Sequence, residues 1–402
     1  MSTHLYRIAM AAAIAAAAPC AASAQALAAG AQADPVVLTF ATVGDSRQDP
    51  TTQDVSQRPI SAQDAHWLEN SKAFSRILRE IQSKKANLLF FNGDEIMGYG
   101  NAALPAALPP TVDALMSTDL AKMYAQYAFW RGMVATTMEA GTYVVPVPGN
   151  HEVQCSTKIN ASCSAANGGK NALPANENAW RANMGDLVLD ATRFPAIVGS
   201  PFANFSVTNN PCPPLGPCTD GTTTDQSQLS YSFDLADTHF AVVNTDAVGR
   251  DSHAPTAWLA SDLAAAKLHG AKHFFVFGHK PAYTYYYAGS DPSKPSGLDA
   301  DLPARDAFWD LVETYGATYF SGHEHIFNVQ QPRGAAYQVL VGSGGSPFEA
   351  SNPAQVGLLP TDRLYAYAYV RLRQSGKVEI DAYGFSDSYG PTMHLWGTTL
   401  SH

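Results

Sequence analysis

The sequence predicts an α/β fold, and three patterns carry that reading. Apolar runs alternate with longer segments of helical spacing, five runs end in a glycine followed by Asp, Asn or His, and two later pairs of runs read as hairpins. Residues 36–43 form the first strand-like run and lead into Gly44-Asp45-Ser46-Arg47. Residues 64–84 place Trp67, Phe74, Ile77, Leu78 and Ile81 at near-helical spacing. The run 87–91 then enters Gly93-Asp94, residues 119–139 repeat the helical pattern, and 142–147 enter Gly149-Asn150-His151-Glu152. Residues 229–234 alternate like a strand and turn at Ala236-Asp237 into 239–245. A helix over 255–268 opens with proline and stops at Gly270, and 303–315 does the same before Gly316. Between and after them, 273–277 leads into Gly278-His279, and 317–320 into Gly322-His323-Glu324-His325. The last pair, 365–372 and 378–383, turns at Ser375-Gly376, so the sheets are expected to be mixed rather than wholly parallel. Two stretches rich in Asn, Gly, Pro, Ser and Thr, 155–178 and 204–228, read as long inserted loops where substrate choice resides.

The strand ends carry the chemistry. Loops at the carboxyl ends of parallel strands are where ligands and catalytic groups gather. Each cluster has glycine directly before its key residue, which lets the backbone turn sharply beside a bound group. Asp, Asn and His together suit divalent ions such as Zn, Mn or Fe. Any one cluster alone could be a turn cap, as Asp and Asn often are. Five in order at strand ends point instead to one shared metal site.

With these blocks in view, the chain resembles the calcineurin-like metallophosphoesterases, which include the purple acid phosphatases. The family's ordered blocks, an early aspartate, GD, GNH[ED], GH and GHxH, are matched by Asp45, Gly93-Asp94, Gly149-Asn150-His151-Glu152, Gly278-His279 and Gly322-His323-Glu324-His325. The resemblance implies two facing mixed sheets flanked by helices, with two metals at one edge. It further implies that Asp94 bridges two ions, one held with Asp45 and His325, the other with Asn150, His279 and His323. His151 would stand by the substrate as proton donor or charge stabiliser. Two divalent ions (Mn, Zn or Fe) are the implied cofactors, and hydrolysis of a phosphoric mono- or diester by a metal-bound hydroxide is the implied reaction. With two carboxylates and one hydroxide, such a centre would keep a charge of about +1 and attract an anion.

Two positions depart from the family pattern. Arg47 stands where the Asp-x-His members have a histidine ligand, and a guanidinium cannot coordinate a cation. Met97 stands where purple acid phosphatases have tyrosine, with Tyr99 two residues further on. Arg47 reads as a phosphate clamp, because its planar fork matches a pair of phosphate oxygens. The alternative is an ion pair with Asp49 or Asp54. These departures also support a second functional reading, a phosphate-ligand or surface-binding protein with a weakened metal site and little turnover.

Composition narrows the partners. The chain has 402 residues, 46% hydrophobic content and a formal net charge of −10, which allows a large core and argues against electrostatic binding of nucleic acid polymers. A small phosphate ester remains compatible, since local charge governs the pocket.

At the amino terminus, Arg7 precedes an apolar, alanine-rich stretch, and Ala22-Ser23-Ala24 offers a cleavage site. Residues 1–24 are therefore expected to be a signal peptide and 35–390 a single catalytic domain, with the protein exported to the periplasm or beyond the cell. No later stretch is long and apolar enough to span a bilayer. Cys155 with Cys163 and Cys212 with Cys218 are the simplest of three disulfide pairings, and the lack of a Cys-x-x-Cys pair argues against structural zinc. Tyr283, Tyr285, Tyr286 and Tyr287 follow His279 closely, either as a stacking wall for an aromatic group or as ordinary packing.

Overall fold

The computed structural model describes residues 34–51, 62–285, 293–348 and 363–401. The expected signal peptide, Asp54, Tyr286 and Tyr287 lie outside these residues.

In chain order the amino-terminal half runs β1 (Val36–Val43), α1 (Ala62–Lys84), β2 (Leu88–Phe91), α2 (Val112–Met116), α3 (Asp119–Glu139) and β3 (Tyr143–Pro146). A short helix α4 (Asn150–Val153), strands β4 (Gln154–Ser156) and β5 (Lys170–Ala172), α5 (Pro174–Met184) and α6 (Arg193–Val198) follow. The second half comprises β6 (Tyr231–Leu235), β7 (Thr238–Val243), β8 (Asp246–Ala247), β9 (Arg250–Asp251), α7 (Thr256–Leu268), β10 (His273–Gly278) and α8 (Leu302–Thr314). It closes with β11 (Thr318–Ser321), β12 (Phe327–Gln330), β13 (Gln338–Val341), β14 (Tyr365–Arg373), β15 (Lys377–Phe385) and β16 (Met393–Ser401).

These strands build two six-stranded sheets, ordered β16-β15-β14-β1-β2-β3 and β12-β13-β11-β10-β7-β6. Both are mixed. In the first, β1, β2 and β3 are parallel while β14, β15 and β16 pair antiparallel. In the second, β7, β10, β11 and β13 are parallel, with antiparallel β6 and β12 at the edges. The alternation of side chains along a strand decides what each face packs against. Phe40 and Phe90 turn inward and meet Phe240, Phe275, Phe277 and Phe320 of the facing sheet; the Phe90 and Phe277 rings stack at 3.8 Å. The intervening residues face outward: Ala41, Val43, Leu89 and Phe91 pack on Phe74 and Ile77 of α1 and Trp130 of α3, and Val276 and Tyr319 on Leu259 of α7 and Phe308 of α8. Helix, sheet, sheet and helix thus form four layers.

Sequence expectation and structure differ at two places, and at a third the structure decides between two readings. The stretch 155–178 is not loop throughout: β4 and β5 form a two-stranded ribbon and α5 begins at Pro174. Gly and Ser lower the strand signal there, and three-residue strands are too short to show a period. β16 continues the first sheet past residue 390, where the sequence reading ended the domain, because a half-exposed edge strand has little apolar contrast. Tyr283 packs edge-on against Trp309 of α8 and beneath Arg305, so it belongs to packing rather than to a stacking wall.

Both expected disulfides are formed, Cys155–Cys163 and Cys212–Cys218. No helix among the described residues is long and apolar enough to cross a membrane.

One buried ion cluster makes the fold pH-sensitive. His239 lies between Asp234 (2.6 Å) and Asp262 (2.9 Å). Burial alone would lower its pKa; the two carboxylates overcome that and raise it to about 9. The folded value exceeds that of an unfolded histidine, about 6.5, so the stabilisation is complete below that pH and is lost as pH rises through about 9. His239→Gln should therefore destabilise the protein by about 3 kcal/mol at pH values below that of a free histidine. Denaturant titrations should show the gap to the wild type closing under alkaline conditions; a gap independent of pH would remove the charged cluster.

Candidate metal centre

The parallel strands β1, β2, β3, β10 and β11 deliver their carboxyl ends to one edge of the sandwich. Backbone bonds stitch these loops together there: Gly44 N donates to Val341 O, Asp45 N to Gly93 O, and Gly322 N to His279 O, each at 2.9 Å. Gly93 shows why glycine is required. It sits at φ +82°, and a Cβ would lie 2.6 Å from His279 Nδ1 and 2.7 Å from Gly149 Cα.

All eight residues singled out in the sequence converge at this edge. Asp94 Oδ1 lies 3.1 Å from His279 Nε2. Asn150 Oδ1 lies 2.8 Å from both His279 Nε2 and His323 Nδ1, which are themselves 3.1 Å apart. Asp45 Oδ1 is 3.7 Å from His325 Nε2. Ligand atoms of Asp45, Asp94 and His279 all fall within 4.8 Å of one another. Asp45, Asp94, Asn150, His279 and His325 are buried.

Hydrogen bonding fixes which atoms face inward. His279 Nδ1 is 2.7 Å from Asn92 O, and a carbonyl can only accept, so the proton of the neutral ring sits on Nδ1. Its Nε2 lone pair then points at the oxygens of Asn150 and Asp94. His325 repeats the arrangement: Nδ1 donates to Pro347 O at 2.8 Å, leaving the Nε2 lone pair toward Asp45. Acceptors facing acceptors in a buried place need a cation between them. The donor set, two carboxylates, one amide oxygen and three imidazoles, fits divalent Zn, Mn or Fe.

Burial, and next the Arg47 charge, depresses the pKa of both His151 and His325, while burial and then His279 depress that of His323. These rings are held neutral, the form that binds metal.

Arg47 takes its own place in the site. Its Nε donates to Ser346 Oγ at 3.0 Å, Nη1 lies 3.3 Å from His151 Nε2, and Nη2 lies 3.3 Å from His325 Nδ1. It makes no ion pair with Asp49, which instead accepts from Thr51 and Gln126. His151 Nδ1 donates to Met97 O at 2.5 Å, so its Nε2 faces Arg47 and, at 3.6 Å, Asp94 Oδ2.

Two supporting residues carried no assigned role in the sequence reading. Glu152, the last residue of the Gly149-Asn150-His151-Glu152 block, accepts from the backbone N–H of Asp94 (2.9 Å), Gly149 (2.9 Å) and Ile96 (3.1 Å). It locks the Asp94 loop to the Asn150 loop. Burial raises the pKa of both Glu152 and its neighbour Glu95; three amide donors make Glu152 the carboxylate and leave the proton on Glu95. Tyr99 is the other. Its hydroxyl accepts from the Asn150 amide, turning Asn150 Oδ1 toward the imidazoles, and its ring lies 3.7 Å from that of His151. Burial, then Asp94, raises the Tyr99 pKa and keeps the phenol neutral. The block's spacing marked Glu152; nothing in the sequence placed Tyr99.

The calcineurin-like phosphoesterase family model matches residues 64–327. The chain belongs to this family. Among solved structures, a purple acid phosphatase from yellow lupin (Lupinus luteus) seeds is similar at TM-score 0.51 and 11% identity, over 90% of this chain and 53% of the lupin chain. The chain thus spans about half the length of the lupin protein. GAP50, the anchor in the inner membrane complex of Plasmodium, gives TM-score 0.46 at 14% identity, covering 90% of this chain and 88% of that one. A dimetal phosphatase from Danio rerio gives TM-score 0.43 at 10% identity, covering 91% and 99%. No curated protein matches the chain. At such identities the likeness extends to the fold alone.

Proposed function

We propose that the protein is a metal-dependent phosphoric ester hydrolase. The observation that carries this reading is the buried meeting of the His279 Nε2 lone pair with oxygens of Asn150 and Asp94. Asp94, Asn150, His279 and His323 would hold one ion; Asp45, Asp94 and His325 the other. When bound, two such ions activate a water near neutral pH and offset charge on both the attacking and the departing oxygens.

The remaining work falls to side chains. Arg47 keeps guanidinium N–H groups beyond those spent on Ser346 and His151, and these grip the substrate's non-bridging phosphate oxygens. Ser346 aims the guanidinium from the wall of the cleft that Arg47 lines. His151 presents Nε2 to the same space, with Nδ1 tied down by Met97 O. That atom takes up the proton released by the attacking water and hands it to the leaving oxygen as the P–O bond breaks, so the ring is neutral again at the end. Tyr99 and Glu152 act through Asn150 and Asp94, holding them in register.

Export is part of the same proposal. Two disulfides form in an oxidising compartment, which supports a periplasmic or extracellular location. A second reading rests on Arg47: a fixed cation between His151 and His325 where a ligand would stand suits a phosphate-binding protein with one ion and little turnover.

Elemental analysis beside hydrolysis of a monoester and a diester, each with Mn, Zn and Fe, separates the two. The hydrolase reading expects two ions per chain, turnover abolished by a chelator and restored by metal. One ion and no turnover with any ester would overturn it in favour of binding.

A further inference from the structure

A second cleft of about 530 Å³ opens where Asn150 and His323 end the metal site, and runs outward past Lys170, Lys280, Arg250 and His253. The cleft in front of Arg47 and His151 is a smaller one of about 210 Å³, and Lys170 borders both. Space of the larger size suits the body of a small organic ligand.

The cations of this wall differ in how they are satisfied. Lys280 Nζ is committed to Asp246 (2.5 Å) and Ser252 (2.8 Å), and His253 Nε2 to Asp301 (3.1 Å). Lys170, on β5, is partly buried with Nζ 4.9 Å from the centre of the Tyr99 ring, and no carboxylate among the described residues pairs with it. Burial, then Lys280, lowers its pKa, with the Asp94 carboxylate acting in the opposite sense. Arg250, on β9, has a buried Nε without a hydrogen-bond partner among the described residues. Lys280 is balanced by Asp246, and against Lys170 and Arg250 the lining offers one carboxylate, Asp251, which already accepts from Gln154. Of these groups only the Arg250 Nε is a fully buried donor without an acceptor among the described residues. A buried donor left so is costly, and an anion entering between Arg250 and the half-buried Lys170 would offset that cost and supply counter-charge to both.

We propose that this cleft is a second anion subsite, which takes a further phosphate group of the same small substrate while the scissile phosphate lies at the Asp94, Asn150, His279 and His323 donors. The preferred substrate is then a bisphosphate rather than a simple monoester. The inference rests on the hydrolase reading for the scissile group but not for the second phosphate, and binding can be measured without turnover.

The test is calorimetric titration of the full, metal-loaded protein with two non-hydrolysable probes, an alkane with a phosphonate at each end and its counterpart with only one. The wild type should bind the double phosphonate roughly tenfold more tightly. In Arg250→Ala and Lys170→Ala that ratio should collapse toward unity, and Lys170→Arg should recover most of it. Equal affinity of the wild type for both probes would overturn the subsite, as would a ratio indifferent to both alanine variants. A preference for the double phosphonate in a protein that hydrolyses no ester would leave the subsite standing and sink the hydrolase reading alone.

Discussion

Asp94→Asn should lower turnover of any phosphoric ester by roughly a thousandfold, equivalent to about 4 kcal/mol of transition-state stabilisation. The substitution keeps the shape of the side chain and removes its charge. In the proposed reading Asp94 is shared by both ions: its Oδ1 lies 3.1 Å from His279 Nε2, a ligand atom of it lies within 4.8 Å of one of Asp45, and its backbone N–H donates to Glu152. Without its charge the bound ions lose a shared anion, so elemental analysis should find fewer than two per chain. Stability should move the other way. Asp94 lies among the buried carboxyls of Asp45, Glu95 and Glu152, and neutralising it relieves like-charge burial in the metal-free protein. The chelated variant should therefore melt at or above the temperature of the chelated wild type. A variant with near-normal turnover and full metal content would remove the bridging role.

Arg47→Ala should reduce kcat/KM for phosphate esters by about a hundredfold while leaving metal content intact. The reason is geometric. His325 holds its ring through Pro347 O and His151 through Met97 O, so neither imidazole depends on the guanidinium for its orientation. The lost groups are the N–H donors aimed between them. Arg47→Lys should recover little, because a single ammonium cannot reach Ser346 and also present a planar fork to phosphate. Kinetics unchanged from the wild type would show that the guanidinium serves only the fold. Loss of metal together with activity would instead place Arg47 among the supports of the ions.

Much of this molecule is legible in the chain because its signals are local. Residues 119–139 carry a helical period and β1, β2, β3, β10 and β11 carry compact apolar runs, so each declares itself without reference to distant sequence. Glycine before each polar cluster marks places where backbones approach too closely for a side chain, as at Gly93. Short or half-exposed elements gave no such signal. β4 and β5 span three residues each, and the edge strand β16 alternates only weakly between exposed and half-buried positions.

What the sequence determined by itself is the inventory: an α/β chain whose strand ends carry Asp45, Asp94, Asn150, His279, His323 and His325, with Arg47 in place of a ligand. Tertiary structure alone decided which lone pairs face each other, that Tyr99 and Glu152 aim the metal donors, and that Lys170 and Arg250 meet in one cleft beside them. The physical reason is range. Periodicity and turn chemistry act over a few neighbouring residues, whereas hydrogen-bond partners such as His279 with Asn92, or Arg47 with Ser346, are 187 and 299 residues apart and become defined only when two sheets close on a shared core.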